Sequence, residues 1–216
     1  MGSVQKRNMS QSSLATLSII LVECVAFAIS ISFSSLFQVV DLFGFSYTGF
    51  TEGRQFWTPL TSLFVHVSIY HLLINMFLLY VFGTALETQK GSKFLLATFF
   101  LGGILSLFIG IPLYSPATKI VGSSIAVSAV IGAVMVAIPN RPSPIFLFRA
   151  PLGLVALIYF IFNVFFAIYG QSALGVAYPS HIIGFLIGVG IVLVTSLAMK
   201  TNGMKSKQQH LRSALN

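Results

Sequence analysis

Six long runs of apolar residues are the feature that most constrains how this chain can fold. About 20 consecutive apolar residues form one helix that crosses the ~30 Å hydrocarbon core of a bilayer. Only 7% of the residues are charged, against about 25% in soluble domains, and 56% are hydrophobic. We therefore predict an all-α membrane protein, a bundle of six transmembrane helices. The runs lie at roughly 14–37, 59–83, 94–113, 120–138, 151–170 and 179–199.

The boundaries of these runs predict one membrane domain with two polar ends. The domain covers residues 14–199, between an N-terminal tail at 1–13 and a basic C-terminal tail at 200–216. The loop at residues 38–57 is rich in aromatic side chains, which favour the membrane interface, so we expect this loop to lie there rather than in bulk water.

The basic residues predict how the bundle is oriented. With six crossings, both termini lie on one side, together with ten of the twelve basic residues, while Arg54 and Lys119 lie on the other. Because lysine and arginine collect in cytoplasmic loops, we predict that both termini are cytoplasmic and that the protein is a multi-pass protein of the cell membrane. The net charge of +8 is thus explained by topology, and we expect no nucleic-acid partner. The ten residues are Lys6, Arg7, Lys90, Lys93, Arg141, Arg149, Lys200, Lys205, Lys207 and Arg212.

Four polar residues are predicted to lie in the outer half of the membrane. Ser124 and His181 are near the outer ends of the fourth and sixth runs. His71 and Asn75 are one turn apart on one helix face of the second run. His66 is five residues from His71 and is predicted to face elsewhere on that helix. Ionisable groups are costly in hydrocarbon, so this grouping indicates a functional site.

Small residues predict which helices bring these groups together. Gly184 and Gly188 are four residues apart in the sixth run, a spacing that allows close approach of a neighbouring helix. The fourth run offers small partners around Gly132. Close packing of these two runs would place His181 beside Ser124.

A serine beside a histidine indicates nucleophilic catalysis. The histidine takes the proton of the hydroxyl, and hydrogen-bond donors stabilise the oxyanion that forms. The candidate donors are His71, Asn75 and the backbone N–H of Ser124. No carboxylate is well placed as a third member, so the sequence predicts a dyad. Glu23 and Asn163 are interpreted as interhelical hydrogen-bond partners without a catalytic role.

In their order and spacing, these motifs resemble those of the rhomboid family of intramembrane serine proteases. The resemblance covers residues 57–199. It implies that Ser124 is the nucleophile, that His181 is its base, and that His71 and Asn75 contribute to the oxyanion hole. It also implies a rhomboid-like bundle that cleaves the transmembrane segments of membrane proteins near the outer leaflet, without a metal or cofactor. The motifs are Trp57, His66, His71-x-x-x-Asn75, Gly83, Glu87, Gly122-x-Ser124, Gly132 and His181-x-x-Gly184-x-x-x-Gly188.

Three positions depart from the family pattern. Ile125 replaces the usual glycine after the serine, Ser128 replaces an aromatic residue one turn later, and Thr58 replaces an arginine that follows the tryptophan. The first two departures motivate an alternative, a catalytically weak or inactive rhomboid-like protein that binds transmembrane helices. A small transporter is a third reading, although the paired half-repeats with broken helices found in many transporters are missing.

Overall fold

The structure, a computed structural model, is helical throughout the parts of the chain that it describes, residues 13–33, 35–143, 150–170 and 176–214. Within those ranges, extended pairing is limited to two isolated bridges, so the prediction of an all-α protein is confirmed. The helices are α1 (Leu14–Phe33), α2 (Leu36–Phe43), α3 (Tyr47–Thr51), α4 (Thr58–Thr61), α5 (Ile69–Leu78), α6 (Thr84–Lys90), α7 (Ser92–Gly110), α8 (Ser124–Ala137), α9 (Leu152–Tyr169) and α10 (Tyr178–Ala214).

Five of the described segments are long and apolar enough to cross a membrane. A π-helical turn at Leu79–Gly83 joins α5 and α6 into one of these segments, Ile69–Lys90. The others are Leu14–Ser32, Ser92–Leu113, Leu152–Tyr169 and Tyr178–Thr201. The remaining predicted span, the fourth along the chain, contains α8, which has only 14 residues and is therefore about 21 Å long.

The second span begins about ten residues later than the sequence predicted. Residues 59–83 were expected to form one helix, but the long helix starts at Ile69. Ser68 is extended (φ −159°, ψ 160°), and its hydroxyl accepts a hydrogen bond from the His71 N–H, which caps the new helix. Val65 is also extended, so His66 lies in a connection between helices and not on a helix face.

Other predicted boundaries also differ from those in the structure. The first span ends at Phe33 rather than at residue 37, and Ser35 caps the separate helix α2. α10 continues past residue 199 to Ala214, through most of the predicted basic tail. The predicted N-terminal tail lies outside the described residues except for residue 13.

α8 is the central element of the bundle. It packs against α7, α9 and α10, and its ten consecutive residues 125–134 are all buried. Part of the aromatic loop also reaches the core: Phe45 is 1% exposed and meets the ring of Phe108 edge-on, with centroids 5.5 Å apart. Other rings of the loop, such as Phe56, are exposed.

Glycines let the backbones of α8 and α10 approach each other, as the sequence predicted. A Cβ atom added to Gly188 would lie 1.8 Å from the Ala129 carbonyl oxygen. One added to Gly184 would lie 2.5 Å from the Ile125 oxygen, and one added to Gly132 would lie 2.0 Å from the Phe185 oxygen. No side chain larger than hydrogen fits at these three positions unless the helices separate.

We predict that Gly188→Ala destabilises the protein by about 1–3 kcal/mol, because the added methyl group overpacks the contact with Ala129. Gly190→Ala is the matched control on the same helix, since an added Cβ there meets nothing within 4 Å. Thermal unfolding of both variants in detergent micelles measures the difference. Equal unfolding temperatures for the two variants would contradict this account of the helix contact.

Candidate active site

The structure brings Ser124 and His181 into direct contact. Ser124 is the first residue of α8, and His181 lies in the first turn of α10. The Ser124 hydroxyl oxygen lies 2.8 Å from Nε2 of His181, within hydrogen-bond distance. His181 is 8% exposed, whereas Ser124 is only half-buried. The more accessible residue of the pair is therefore the serine.

The turn before Ser124 depends on a glycine. Gly122 has φ +109°, a conformation that side-chain-bearing residues rarely adopt, and its N–H donates to the Ser62 carbonyl at 2.8 Å. The His71 imidazole packs directly on this glycine: an added Cβ would lie 2.8 Å from the ring Nε2. Because Gly122 has no side chain, the His71 ring can pack against the backbone two positions before Ser124 in the sequence.

Asn75 lies one turn beyond His71 on α5 and is 3% exposed. Its Nδ2 donates one hydrogen bond, to the His71 carbonyl at 2.8 Å. An amide nitrogen carries two protons, so a second donor remains. His71 and Asn75 therefore share one helix face, and His71 is the one that packs on the turn before Ser124.

Asn163 is a buried partner of His181 to which the sequence analysis gave no catalytic role. Its Oδ1 lies 2.8 Å from Nδ1 of His181, and its Nδ2 donates to the Tyr159 carbonyl at 2.8 Å. The second bond fixes the amide orientation, so Oδ1 must be the atom that faces the histidine. Nδ1 then carries the proton, and Nε2 is left as an acceptor for the Ser124 hydroxyl. A buried asparagine within a predicted span was the only signal in the sequence, and it indicated an interhelical hydrogen bond, which the structure confirms.

Glu23 forms a second buried polar cluster on the other side of the same turn. The Ser123 hydroxyl donates to its Oε2 at 2.8 Å, and Nε2 of His66 lies 3.6 Å from that oxygen. The prediction that His66 faces away from His71 is wrong, because His66 precedes the helix; the two rings meet edge-on with centroids 4.9 Å apart. Among the described residues, no three histidine, cysteine, aspartate or glutamate side chains are arranged to hold a metal ion.

The fold and this site together define a class of protein: a multi-pass membrane protein with a serine–histidine pair inside its helix bundle. The chain belongs to the rhomboid family, since the sequence model of the Rhomboid domain matches residues 53–198. This match contains Ser124, His181, His71 and Asn75 but not α1.

Individual relatives carry names of both active and inactive proteins. The chain is 30% identical over 125 residues to the inactive RHOMBOID-like protein 8 of Arabidopsis thaliana, covering 58% of this chain and 34% of that protein. It is 29% identical over 120 residues to rhomboid-like protease 3 of Toxoplasma gondii, covering 56% and 44%. It is 28% identical over 138 residues to the mitochondrial presenilin-associated rhomboid-like protein A of Danio rerio, covering 59% and 34%. The aligned part is thus less than half the length of each relative.

The structure shows the surroundings of two of the three residues that depart from the family pattern, Ile125 and Ser128. The Ile125 side chain is 1% exposed and packs in the hydrophobic core. Ser128, in place of an aromatic residue, donates to the Ser124 carbonyl at 2.7 Å and lies 2.6 Å from the Tyr159 hydroxyl. The tyrosine that meets the His181 ring instead is Tyr178, edge-on at 6.1 Å.

Proposed function

We propose that this protein is a rhomboid-type serine endopeptidase that cleaves the transmembrane segments of membrane proteins near the outer leaflet. The observation that carries the proposal is the 2.8 Å contact between the Ser124 hydroxyl and Nε2 of His181 inside a bundle of membrane helices. Because that nitrogen is the free acceptor of the imidazole, it is positioned to take the hydroxyl proton when Ser124 attacks a peptide carbonyl.

The proposed reaction has two stages. In the first, Ser124 Oγ bonds to the carbonyl carbon, His181 takes the proton and passes it to the leaving amine, and an ester between Ser124 and the substrate remains. In the second, a water molecule gives a proton to His181 and bonds to the carbonyl carbon, the bond to Ser124 Oγ breaks, and His181 returns the proton to that oxygen as the new carboxyl terminus leaves. Each stage passes through an oxyanion, for which the Ser124 N–H and the side chains of His71 and Asn75 are the proposed donors.

The proposed third participant is Asn163, which holds His181 in the required tautomer through Nδ1. This extends the predicted dyad to a serine–histidine–asparagine arrangement. An amide is neutral, so it orients the ring without adding a charge to a buried site, where charge is costly.

We also propose that the chain crosses the membrane six times, that both termini are cytoplasmic, and that the membrane is the cell membrane. α8 would complete the six crossings as the fourth along the chain. Its shortness is tolerated because it is surrounded by other helices rather than by lipid. If Ala137 lies at the cytoplasmic surface, Ser124 lies about 21 Å away and so about 10 Å below the opposite surface of a ~30 Å hydrocarbon core. This depth would direct cleavage to the outer third of a substrate helix.

The second candidate function is capture of transmembrane helices without cleavage. The observation that favours it is the similarity to an Arabidopsis relative named as inactive. The two candidates differ in whether Ser124 reacts, which the first experiment below decides.

We predict that a fluorophosphonate probe labels the wild-type protein and that Ser124→Ala abolishes both labelling and cleavage of a single-span substrate. His181→Ala should also abolish turnover, since the hydroxyl loses its base. Ser196→Ala is the control, because this serine is exposed on the same long helix as His181. Equal labelling of wild type and Ser124→Ala would refute the protease proposal, and substrate binding without turnover by wild type would support helix capture.

We predict that Asn75→Ala retains partial activity. Loss of one oxyanion donor in a well-studied soluble protease costs about 2.7–4 kcal/mol, a decrease of about 10²–10³ in kcat. The KM should change little, because the oxyanion exists only along the reaction path. Steady-state cleavage of a fluorogenic transmembrane peptide gives both constants, and a rise in KM at unchanged kcat would assign Asn75 to ground-state binding instead.

Two substitutions of Asn163 test its orienting role. Asn163→Ala should lower kcat by about 10- to 100-fold, because the ring loses its fixed orientation. Asn163→Asp should keep the hydrogen bond, but its carboxylate favours the protonated imidazole, so the acidic limb of the pH–rate profile should move to higher pH. Phe162→Ala, on an exposed face of the same helix, controls for general damage to α9. An unchanged profile in Asn163→Asp would contradict the proposed role.

A further inference from the structure

We propose that Glu23 of α1 is a positioning residue for the turn that carries the nucleophile: its hydrogen bond with the Ser123 hydroxyl holds residues 122–124 in the conformation that places the Ser124 hydroxyl and N–H for reaction. This inference rests on the proposed protease function for its catalytic consequence. Its structural part, the control of the helix terminus by Glu23, stands on the contacts described below.

Glu23 is out of place in its own helix. α1 presents apolar side chains outward along most of its length, including Leu21, Val22 and Val25, which are all exposed. Glu23 points the other way and is 0% exposed. Burial of an acid at this depth is costly, and a leucine would pack without that cost. The contacts of the acid therefore explain its presence better than its bulk does.

The main contact of Glu23 is with the residue just before the nucleophile. Ser123 is also 0% exposed, and its hydroxyl donates to Oε2 of Glu23 at 2.8 Å. His66 lies beside both groups: its Nε2 is 3.4 Å from the Ser123 hydroxyl and 3.6 Å from Oε2 of Glu23. A hydroxyl placed between a carboxyl group and an imidazole has little freedom to rotate.

Ser123 does not act as a normal helix cap at the start of α8. Ser123 occupies the N-cap position, where a serine normally accepts a hydrogen bond from an amide two or three residues later. It makes no such bond, and its backbone is helical (φ −68°, ψ −7°) rather than extended. Other helix starts in the same chain behave in the usual way.

Three serines of this chain provide that comparison. Ser35, Ser46 and Ser68 all cap helices with an extended backbone, and each accepts a hydrogen bond from the amide three residues later. Ser123 therefore differs from them in conformation and in partner. The difference leaves the first-turn N–H groups of α8 without a side-chain cap, at the positive end of the helix and next to Ser124.

The turn is thus held from three sides. The Ser62 carbonyl holds the Gly122 N–H, the His71 ring packs on the Gly122 Cα, and Glu23 holds the Ser123 side chain. The first two contacts involve residues within the matched Rhomboid domain, whereas Glu23 comes from α1, outside it. Without Glu23, the Ser123 hydroxyl keeps only the longer contact with His66, at 3.4 Å, and the turn before Ser124 is held less firmly.

The test compares Glu23→Leu, Glu23→Gln, Ser123→Ala and the double variant Glu23→Leu/Ser123→Ala. We expect Glu23→Leu to lower kcat by about 10- to 100-fold at unchanged KM, because the turn that carries the Ser124 hydroxyl and N–H is no longer held while substrate binding is kept. Glu23→Gln keeps an acceptor for the Ser123 hydroxyl and should stay within about threefold of wild type. The double variant should lose no more activity than Glu23→Leu alone, because both substitutions remove the same hydrogen bond. Equal losses in Glu23→Gln and Glu23→Leu would overturn the proposal.

Amide hydrogen exchange gives a readout that does not depend on catalysis. In Glu23→Leu, exchange at Ser124 and Ile125 should become faster than in wild type, because the turn loses a hydrogen bond, and the double variant should show the same increase as Glu23→Leu alone. Unchanged exchange in Glu23→Leu would overturn the proposal even if the protease is active. If the wild type neither labels nor cleaves, the protease function is refuted. If Glu23→Leu still shows the expected change in exchange, the control of the turn by Glu23 stands.

Thr16→Val is the matched control on the same helix. Thr16 is also 0% exposed, and its hydroxyl donates to Oε2 of Glu87 at 2.7 Å, two helical turns from Glu23. Its loss should lower the unfolding temperature with kcat and the exchange at Ile125 unchanged. If Thr16→Val lowers kcat as much as Glu23→Leu does, general damage to α1 explains both, and the proposal fails.

Discussion

The close backbone contact between α8 and α10 is the constraint on which the rest of the structure depends. Ser124 and His181 are 57 residues apart in sequence and lie on different helices. Only a near-touching pair of helices holds their side chains at 2.8 Å. Gly188 meets the carbonyl of Ala129 directly, so no flexible side chain lies between the two backbones at that point. A rigid contact of this kind fixes the distance between two reactive groups more firmly than side-chain packing does.

The sequence predicted this contact but not the full set of polar groups around it. The spacing of small residues is local, so the contact between α8 and α10 could be inferred from Gly184, Gly188 and the small residues around Gly132. The partnership of Asn163 with His181 depends on the rotation of α9 about its axis, which no local pattern records. The break before α5 was missed because residues 59–83 resemble one apolar run although Ser62, His66 and Ser68 interrupt it, and a single serine cap carries little signal.

The polar network has one common theme, which is that each buried group restricts the next. Asn163 is held by the carbonyl of Tyr159 and in turn holds the ring of His181. The Tyr159 hydroxyl lies beside Ser128, which donates to the carbonyl of Ser124. Residues on α8, α9 and α10 thus share one chain of hydrogen bonds, and in a low-dielectric interior such chains are stronger than isolated bonds.

The contacts of α1 have a consequence for where the working unit of this protein begins. Sequence similarity to the family starts at residue 53, yet Glu23 reaches the turn beside Ser124, and Thr16 reaches Glu87 at the end of α6. A fragment cut to the matched residues would leave the Ser123 hydroxyl and the Glu87 carboxylate without these partners. The limits of the shared domain and the limits of the packed molecule are therefore different in this chain, and α1 is part of that difference.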